Sequence, residues 1–147
     1  MSERFLGYET ADLPVRNRIC PGIDDPCDLY KMLTHVWCSQ TCAPRMRKDW
    51  TPSNMMLGQC SITAFLVQDI FGGEVYGVDL KDGNYHCFNL IDSHFIDLTS
   101  QQFEKPLDYS ICFRQKREDH FRKEEKYQRY LLLKQLLYDQ CTDKGTE

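Results

Sequence analysis

CSITAFLVQDIFGGEVYGVDLKDGNYHCFNLIDSHFIDLT, residues 60–99, changes its hydrophobic rhythm at Gly72-Gly73, and that change decides the fold. Before the glycines, Ile62, Ala64, Phe65, Leu66, Val67, Ile70 and Phe71 are apolar on more than one side of a 3.6-residue period, the mark of a helix buried in a core. Two glycines then stop it, as they do at many helix C-termini. Beyond them the pattern alternates. EVYGVDL (74–80), NYHCFNLI (84–91) and HFIDLT (94–99) read as strands, separated by KDGN and DS, both of which suit tight hairpin turns. The segment predicts a central buried helix packed on an antiparallel meander.

Working outward, Asp25-Pro26 reads as an N-cap followed by proline at the first helical position, and Leu29, Met32, Leu33 and Val36 keep helical spacing. A first helix is expected over roughly residues 26–39. Residues 40–58 carry two prolines and no sustained period, so they form a long connection of the kind that is often functional. On the other side, SQQF suggests a helical turn and YSICF (109–113) a fourth strand, with Tyr109, Ile111 and Phe113 alternating against Ser110 and Cys112. Residues 116–140 read as one long terminal helix, with Tyr127, Tyr130, Leu133 and Leu137 as its apolar stripe and its charges on a solvated face. CTDKGTE closes the chain as a frayed end. No repeat, low-complexity tract or linker divides the sequence. The expectation is one α+β domain over 1–147, with about the first 20 and the last seven residues at its periphery.

At 147 residues such a domain buries roughly two thirds of its unfolded surface, and needs neither metal nor disulfide merely to fold. The net charge of -4 is mild and the cations are interspersed with acids, so no nucleic-acid footprint stands out. No apolar run approaches the roughly 18 residues of a membrane span, and the start of the chain has no signal-peptide core. The reading is a cytoplasmic protein whose eight cysteines are mostly thiols. Cys38 and Cys42 make a C-x3-C pair, but no second close pair of Cys or His follows at zinc-finger spacing.

One cysteine is placed for chemistry. Cys60 opens the core helix, where free N–H groups and the helix dipole favour a thiolate. Gly58 lets the backbone approach closely before it, and the small Ser61 leaves it open. If Asp92-Ser93 is a two-residue turn, Ile91 pairs with His94. His86, Phe88 and Asp97 then share one face, with Asp97 the diagonal neighbour of His86. That is a base beside its orienter, as a Cys/His pair requires. Asp79 is the rival orienter, because an Asp82-Gly83 turn pairing Lys81 with Asn84 would set it opposite His86. An oxyanion hole is available from the backbone N–H of Cys60 together with one amide side chain, Asn54 or Gln59. This chemistry needs no cofactor and no metal.

The order of a cysteine opening a central helix, a histidine strand, and an acid on the next strand resembles the papain-like and transglutaminase-like cysteine enzymes. More closely, WTPSNMMLGQCSITAFLVQDIFGGEV, HCFN and IDLTSQQF resemble the YunG family of uncharacterised bacterial proteins, with its G-Q-C, F-G-G, H-x-x-N and D-L-T motifs, over about residues 28–140. The resemblance falls on Gly58, Gln59, Cys60, Gly72, Gly73, His86, Asn89, Asp97 and Thr99, and marks Asn89 and Thr99 as supporting residues. It carries no established activity. In papain-like proteases a glutamine stands six residues before the nucleophile; here that residue is Asn54.

The leading expectation is therefore a cysteine-dependent acyl-transfer enzyme acting on a small-molecule or peptide substrate by hydrolysis, deamidation or transamidation. A non-catalytic module on the same fold, gripping a ligand or peptide with the 40–58 connection, is the alternative. A metal held by Cys60 and His86 would need a third close ligand. His35, His94 and His120 read as surface or interface histidines. Trp37 and Trp50 read as residues packing the connection onto the core, and Cys87 and Cys112 as small buried strand residues.

Overall fold

The computed structural model describes residues 4–10, 12–81, 83–103 and 105–143. Its elements are α1 (Pro26–Leu33), α2 (Cys60–Phe71), β1 (Glu74–Asp79), β2 (Tyr85–Ile91), β3 (His94–Ile96), β4 (Cys112–Gln115), α3 (Arg117–Phe121) and α4 (Glu124–Asp143), with short 3-10 turns between them. The architecture is α+β. A four-stranded antiparallel sheet in the order β3-β2-β1-β4 carries α2, and α4 lies against α2 in turn.

The turn chemistry sets the sheet register. Asp92 (φ 49) and Ser93 (φ 71) both take left-handed conformations, as a primed two-residue hairpin turn demands, so Ile91 pairs with His94. The hairpin between β1 and β2 is looser. Asp79 pairs with Tyr85 and Val78 with His86, so Asp79 does not stand opposite His86 as a two-residue turn would require. The Leu80 N–H donates to Asn84 O, and the turn's Asp82 lies outside the described residues. Gly73, at φ +80, could carry no side chain, because a Cβ there would strike the carbonyl of Leu90.

Other expectations shift. The first helix ends at Leu33 rather than near residue 39, because the N–H groups of His35 and Val36 bond three residues back and the backbone then extends at Cys38. Val36 and Trp37 are nonetheless buried, which is why they kept helical spacing in the sequence. The long connection is ordered by 3-10 turns at Ser39–Thr41 and Pro44–Asp49. The fourth strand begins three residues late, leaving Ile111 and Phe113 exposed at the sheet edge. The terminal helix is broken at Arg122 and Lys123 into α3 and α4.

The core gathers Phe65, Leu66, Ile70 and Phe71 of α2 with Tyr130, Leu133 and Leu137 of α4, each large apolar side chain contributing about 1.5–3 kcal/mol. Tyr127, read as part of that stripe, is exposed at its outer end. The N-terminal segment, expected at the periphery, instead inserts Phe5, Leu13 and Cys20 into the core, and Asp97 N–H bonds Leu6 O. At the other end Cys141 is buried and α4 runs to Asp143, while 144–147 lie outside the described residues. All eight cysteines are free. No helix of the described residues is long and apolar enough to cross a membrane.

Candidate active site

The start of α2 is wedged into the 38–58 connection. Gly58, at φ +73, passes beneath Cys42 and Ala43 so closely that a Cβ would lie 2.5 Å from Cys42 Sγ and 2.9 Å from Ala43 N. The Ala43 N–H donates to Gly58 O. Gln59 follows, fully buried, with Nε2 donating to Cys38 O at 3.0 Å and Oε1 without a partner among the described residues. Cys60 is then the first helical residue, half-buried, with Sγ 4.0 Å from Tyr85 O where β2 begins. The first intrahelical bond runs from Thr63 N–H to Gln59 O, so the N–H groups of Cys60, Ser61 and Ile62 have no intrahelical acceptor.

Two neighbours act on the Cys60 thiol. Cys87 donates a hydrogen bond to its sulfur, and this, with a further hydrogen bond and charge attraction from His86, outweighs burial and holds Cys60 well below the ordinary thiol range. The same contact and burial push Cys87 well above that range, so Cys87 remains the S–H donor. Burial opposes charge on His86, but the Asp97 carboxylate overrides it, with help from Cys60, and raises the imidazole to about 10. Both shifts favour a thiolate on Cys60 and an imidazolium on His86.

Behind them Asp97 is almost completely buried. Its Oδ2 receives His86 Nε2 at 2.6 Å and the Tyr109 hydroxyl at 2.6 Å, while its Oδ1 accepts from the N–H and hydroxyl of Thr99 at 3.1 and 3.2 Å. A buried charge is tolerable only when its oxygens are satisfied in this way. Because Nε2 is occupied by Asp97, Nδ1 is the ring nitrogen left for Cys60. Phe103 packs edge-on against the His86 ring at 4.7 Å, fixing its plane. On the other face of β2, Asn89 Nδ2 donates to Ala64 O at 2.8 Å and ties α2 to the strand that carries His86.

The structure therefore gathers Cys60, His86, Asp97 and Thr99 and uses Asn89 as a clamp. It does not bring either amide to the thiol. Asn54 is exposed in the Thr51 to Asn54 turn, and Gln59 is turned beneath the helix, its NH2 spent on Cys38 O. Neither lines the cavity of about 680 Å³ into which Cys60 and His86 open. Asp79 is likewise elsewhere, its carboxylate accepting from Lys81 N–H. Tyr109, which its alternation with Ser110 and Ile111 assigns to a strand, lies before β4 and joins the site through Asp97; burial, then the neighbouring carboxylate, raises its pKa and keeps it a phenol. His120, read as a surface or interface residue, is a cavity wall residue. Trp37 packs as expected, its Nε1 bonded to Thr63 Oγ1, and Trp50 Nε1 bonds Met55 O. Among the described residues no three His, Cys, Asp or Glu side chains converge as a metal site.

The sequence profile of the YunG protein family matches residues 25–142, which takes in every residue of this site. The chain belongs to the YunG family. It is 38% identical over 60 residues to "Uncharacterized protein YunG" of Bacillus subtilis (strain 168), an alignment covering 41% of this chain and 51% of that protein. The chain thus spans about half the length of the curated YunG relative it matches. No solved structure matches this chain.

Proposed function

We propose that this chain is a cysteine-dependent acyl-transfer enzyme with a Cys60, His86 and Asp97 triad on a papain-like or transglutaminase-like core. The observation that carries the reading is the buried 2.6 Å bond from His86 to Asp97, on a histidine that also meets a thiol at the first position of a core helix. In this mechanism the Cys60 thiolate attacks a carbonyl carbon and forms an S–C bond. Charge moves onto the carbonyl oxygen, where the free N–H groups at the start of α2 stabilise it. With Asn54 and Gln59 turned away, backbone N–H groups take the part first expected of an amide side chain. Collapse of the tetrahedral intermediate breaks the bond to the leaving group, which takes its proton from His86 Nδ1, and leaves a thioester on Cys60. His86, now neutral, takes a proton from the incoming water or amine, which attacks the thioester and regenerates the thiolate. Water gives hydrolysis or deamidation; an amine gives transamidation.

Thioester formation can be read without knowing the natural substrate. p-Nitrophenyl acetate should give a burst of one p-nitrophenolate per chain, with an acetyl group on Cys60 by mass spectrometry and no burst in Cys60→Ala. Absence of a burst, with Cys60 unacetylated while other cysteines react, would contradict the proposal and favour a ligand-binding module on the same fold.

A further inference from the structure

The cavity in front of Cys60 has a second wall that the proposed mechanism does not use. It is built from His120 of α3, Lys123 in the break between the helices, Glu125, Lys126 and Arg129 of α4, and Arg45 in the Pro44–Asp49 turn. The whole chain has a formal charge of -4, yet this wall carries four cations and one carboxylate. Glu125 is already committed. It accepts from Arg129 Nε at 2.7 Å, and Arg129 spends Nη1 on Thr41 O. Among the described residues Arg45, Lys123 and Lys126 enter no ion pair.

Lys126 is the informative member. It is half-buried, and its ammonium donates to Nδ1 of His120 at 2.9 Å. The other ring nitrogen of His120 meets Gln115 Oε1 at 2.8 Å, and the ring packs on Phe65. Burial and the Lys126 charge hold His120 down to about 4, so it accepts from Lys126 as a neutral ring and brings no countercharge. Burial also lowers Lys126, while the Cys60 sulfur draws its charge, and Lys126 and Cys60 line the same cavity. A solvated surface lysine needs no such support. A half-buried ammonium, oriented by a neutral acceptor and left without a carboxylate, can hold an anionic group that enters the cavity.

We infer that the acyl substrate is anionic, its carboxylate or phosphate group held by Lys126 beside Cys60, with Lys123 and Arg45 at the rim. Lys126 is thereby a specificity-determining residue. The inference rests on Cys60 being the nucleophile, and its test separates the two claims. Iodoacetamide and iodoacetate form the same S–C bond and expel the same iodide, but only iodoacetate carries a negative charge. The iodoacetamide rate at Cys60 reports the thiolate; the ratio of iodoacetate to iodoacetamide rates, relative to that of glutathione, reports the cationic wall.

At low salt the ratio at Cys60 should exceed that of glutathione by about tenfold, and added salt should reduce it. Lys126→Met should cut it by about threefold or more, and Lys126→Arg should retain it. The Arg45→Met, Lys123→Met double variant changes only exposed side chains and should lower the ratio even if Lys126→Met fails to fold. Protection of Cys60 by glutarate assigns the anion as a carboxylate; protection by inorganic phosphate assigns a phosphate ester. A ratio equal to that of glutathione, or unchanged in these charge-removing variants, overturns the inference while leaving Cys60 a nucleophile. Slow iodoacetamide reaction in the unaltered protein removes both claims.

Discussion

Replacing Asp97 by Asn changes one oxygen to an NH2 group without changing shape, and the site has no orientation that tolerates it. Oδ2 receives His86 Nε2 and the Tyr109 hydroxyl, and Oδ1 receives both donors of Thr99. If the new NH2 faces Thr99, two donors meet and the buried Thr99 N–H loses its acceptor, a cost of about 1–3 kcal/mol. If it faces His86, the ring must accept at Nε2, its proton moves to Nδ1, and the imidazolium loses its charged partner. A hydrogen bond to a charged group contributes about 1.5–3 kcal/mol, so in that orientation the thiolate and imidazolium pair should be populated roughly tenfold to hundredfold less. The assay is the second-order rate of iodoacetamide at Cys60 near neutral pH, read by peptide mass spectrometry, with circular dichroism to establish folding. The expected result is a folded protein with the rate reduced by about tenfold or more. A folded Asp97→Asn variant that alkylates at the unaltered rate would refute the assignment of Asp97 as the residue that positions and charges His86.

Further outcomes follow from neighbouring contacts. Cys87→Ala removes the S–H donor to the Cys60 sulfur, so the pH profile of Cys60 alkylation should move upward while the other cysteines are unaffected. Gly58→Ala places a Cβ against Cys42 and Ala43 at a positive φ; denaturant unfolding should show a loss of about 1–3 kcal/mol. Asn54→Ala, at an exposed turn outside the cavity, should leave the p-nitrophenyl acetate burst within about twofold, as an oxyanion donor would not, since losing one costs about a hundredfold.

The strands and the core helix were legible because both rest on periodicity, and Asp92-Ser93 was legible as a candidate tight turn, although a three-residue loop would have sent Asp97 to the opposite face; the positive φ of both residues and the pairing of Ile91 with His94 decide for two. Given a two-residue turn, the sharing of one face by His86 and Asp97 could be worked out. What escaped the sequence is long-range. Tyr109 belongs to the site through a contact with Asp97 across a non-strand segment, and no spacing announces it. His120 and Lys126 sat in a charged stretch that looks like a solvated helix face; in the fold they lie on either side of the break at Arg122 and Lys123 and both line the cavity. Gln59 misled for the opposite reason. Its adjacence to Cys60 suggested a donor, but an N-cap side chain can fold under its helix, and here Cys38 O captures it.

The ionisation of Cys60 tests the account most directly. Held down in the folded chain, it contributes stability above the unfolded thiol's value that is lost as pH falls through its folded value. His86, raised to about 10, contributes stability fully present below its ordinary 6.5 and lost as pH rises through about 10. Between the folded Cys60 value and about 10 the thiolate and imidazolium coexist. Thiolate absorbance near about 240 nm, titrated in the unaltered protein and in Cys60→Ala, isolates this one sulfur. The account predicts a difference signal of one thiolate per chain that is complete at neutral pH, with a midpoint well below the free-thiol value of about 8.5. A difference that appears only at or above about 8.5 would contradict it.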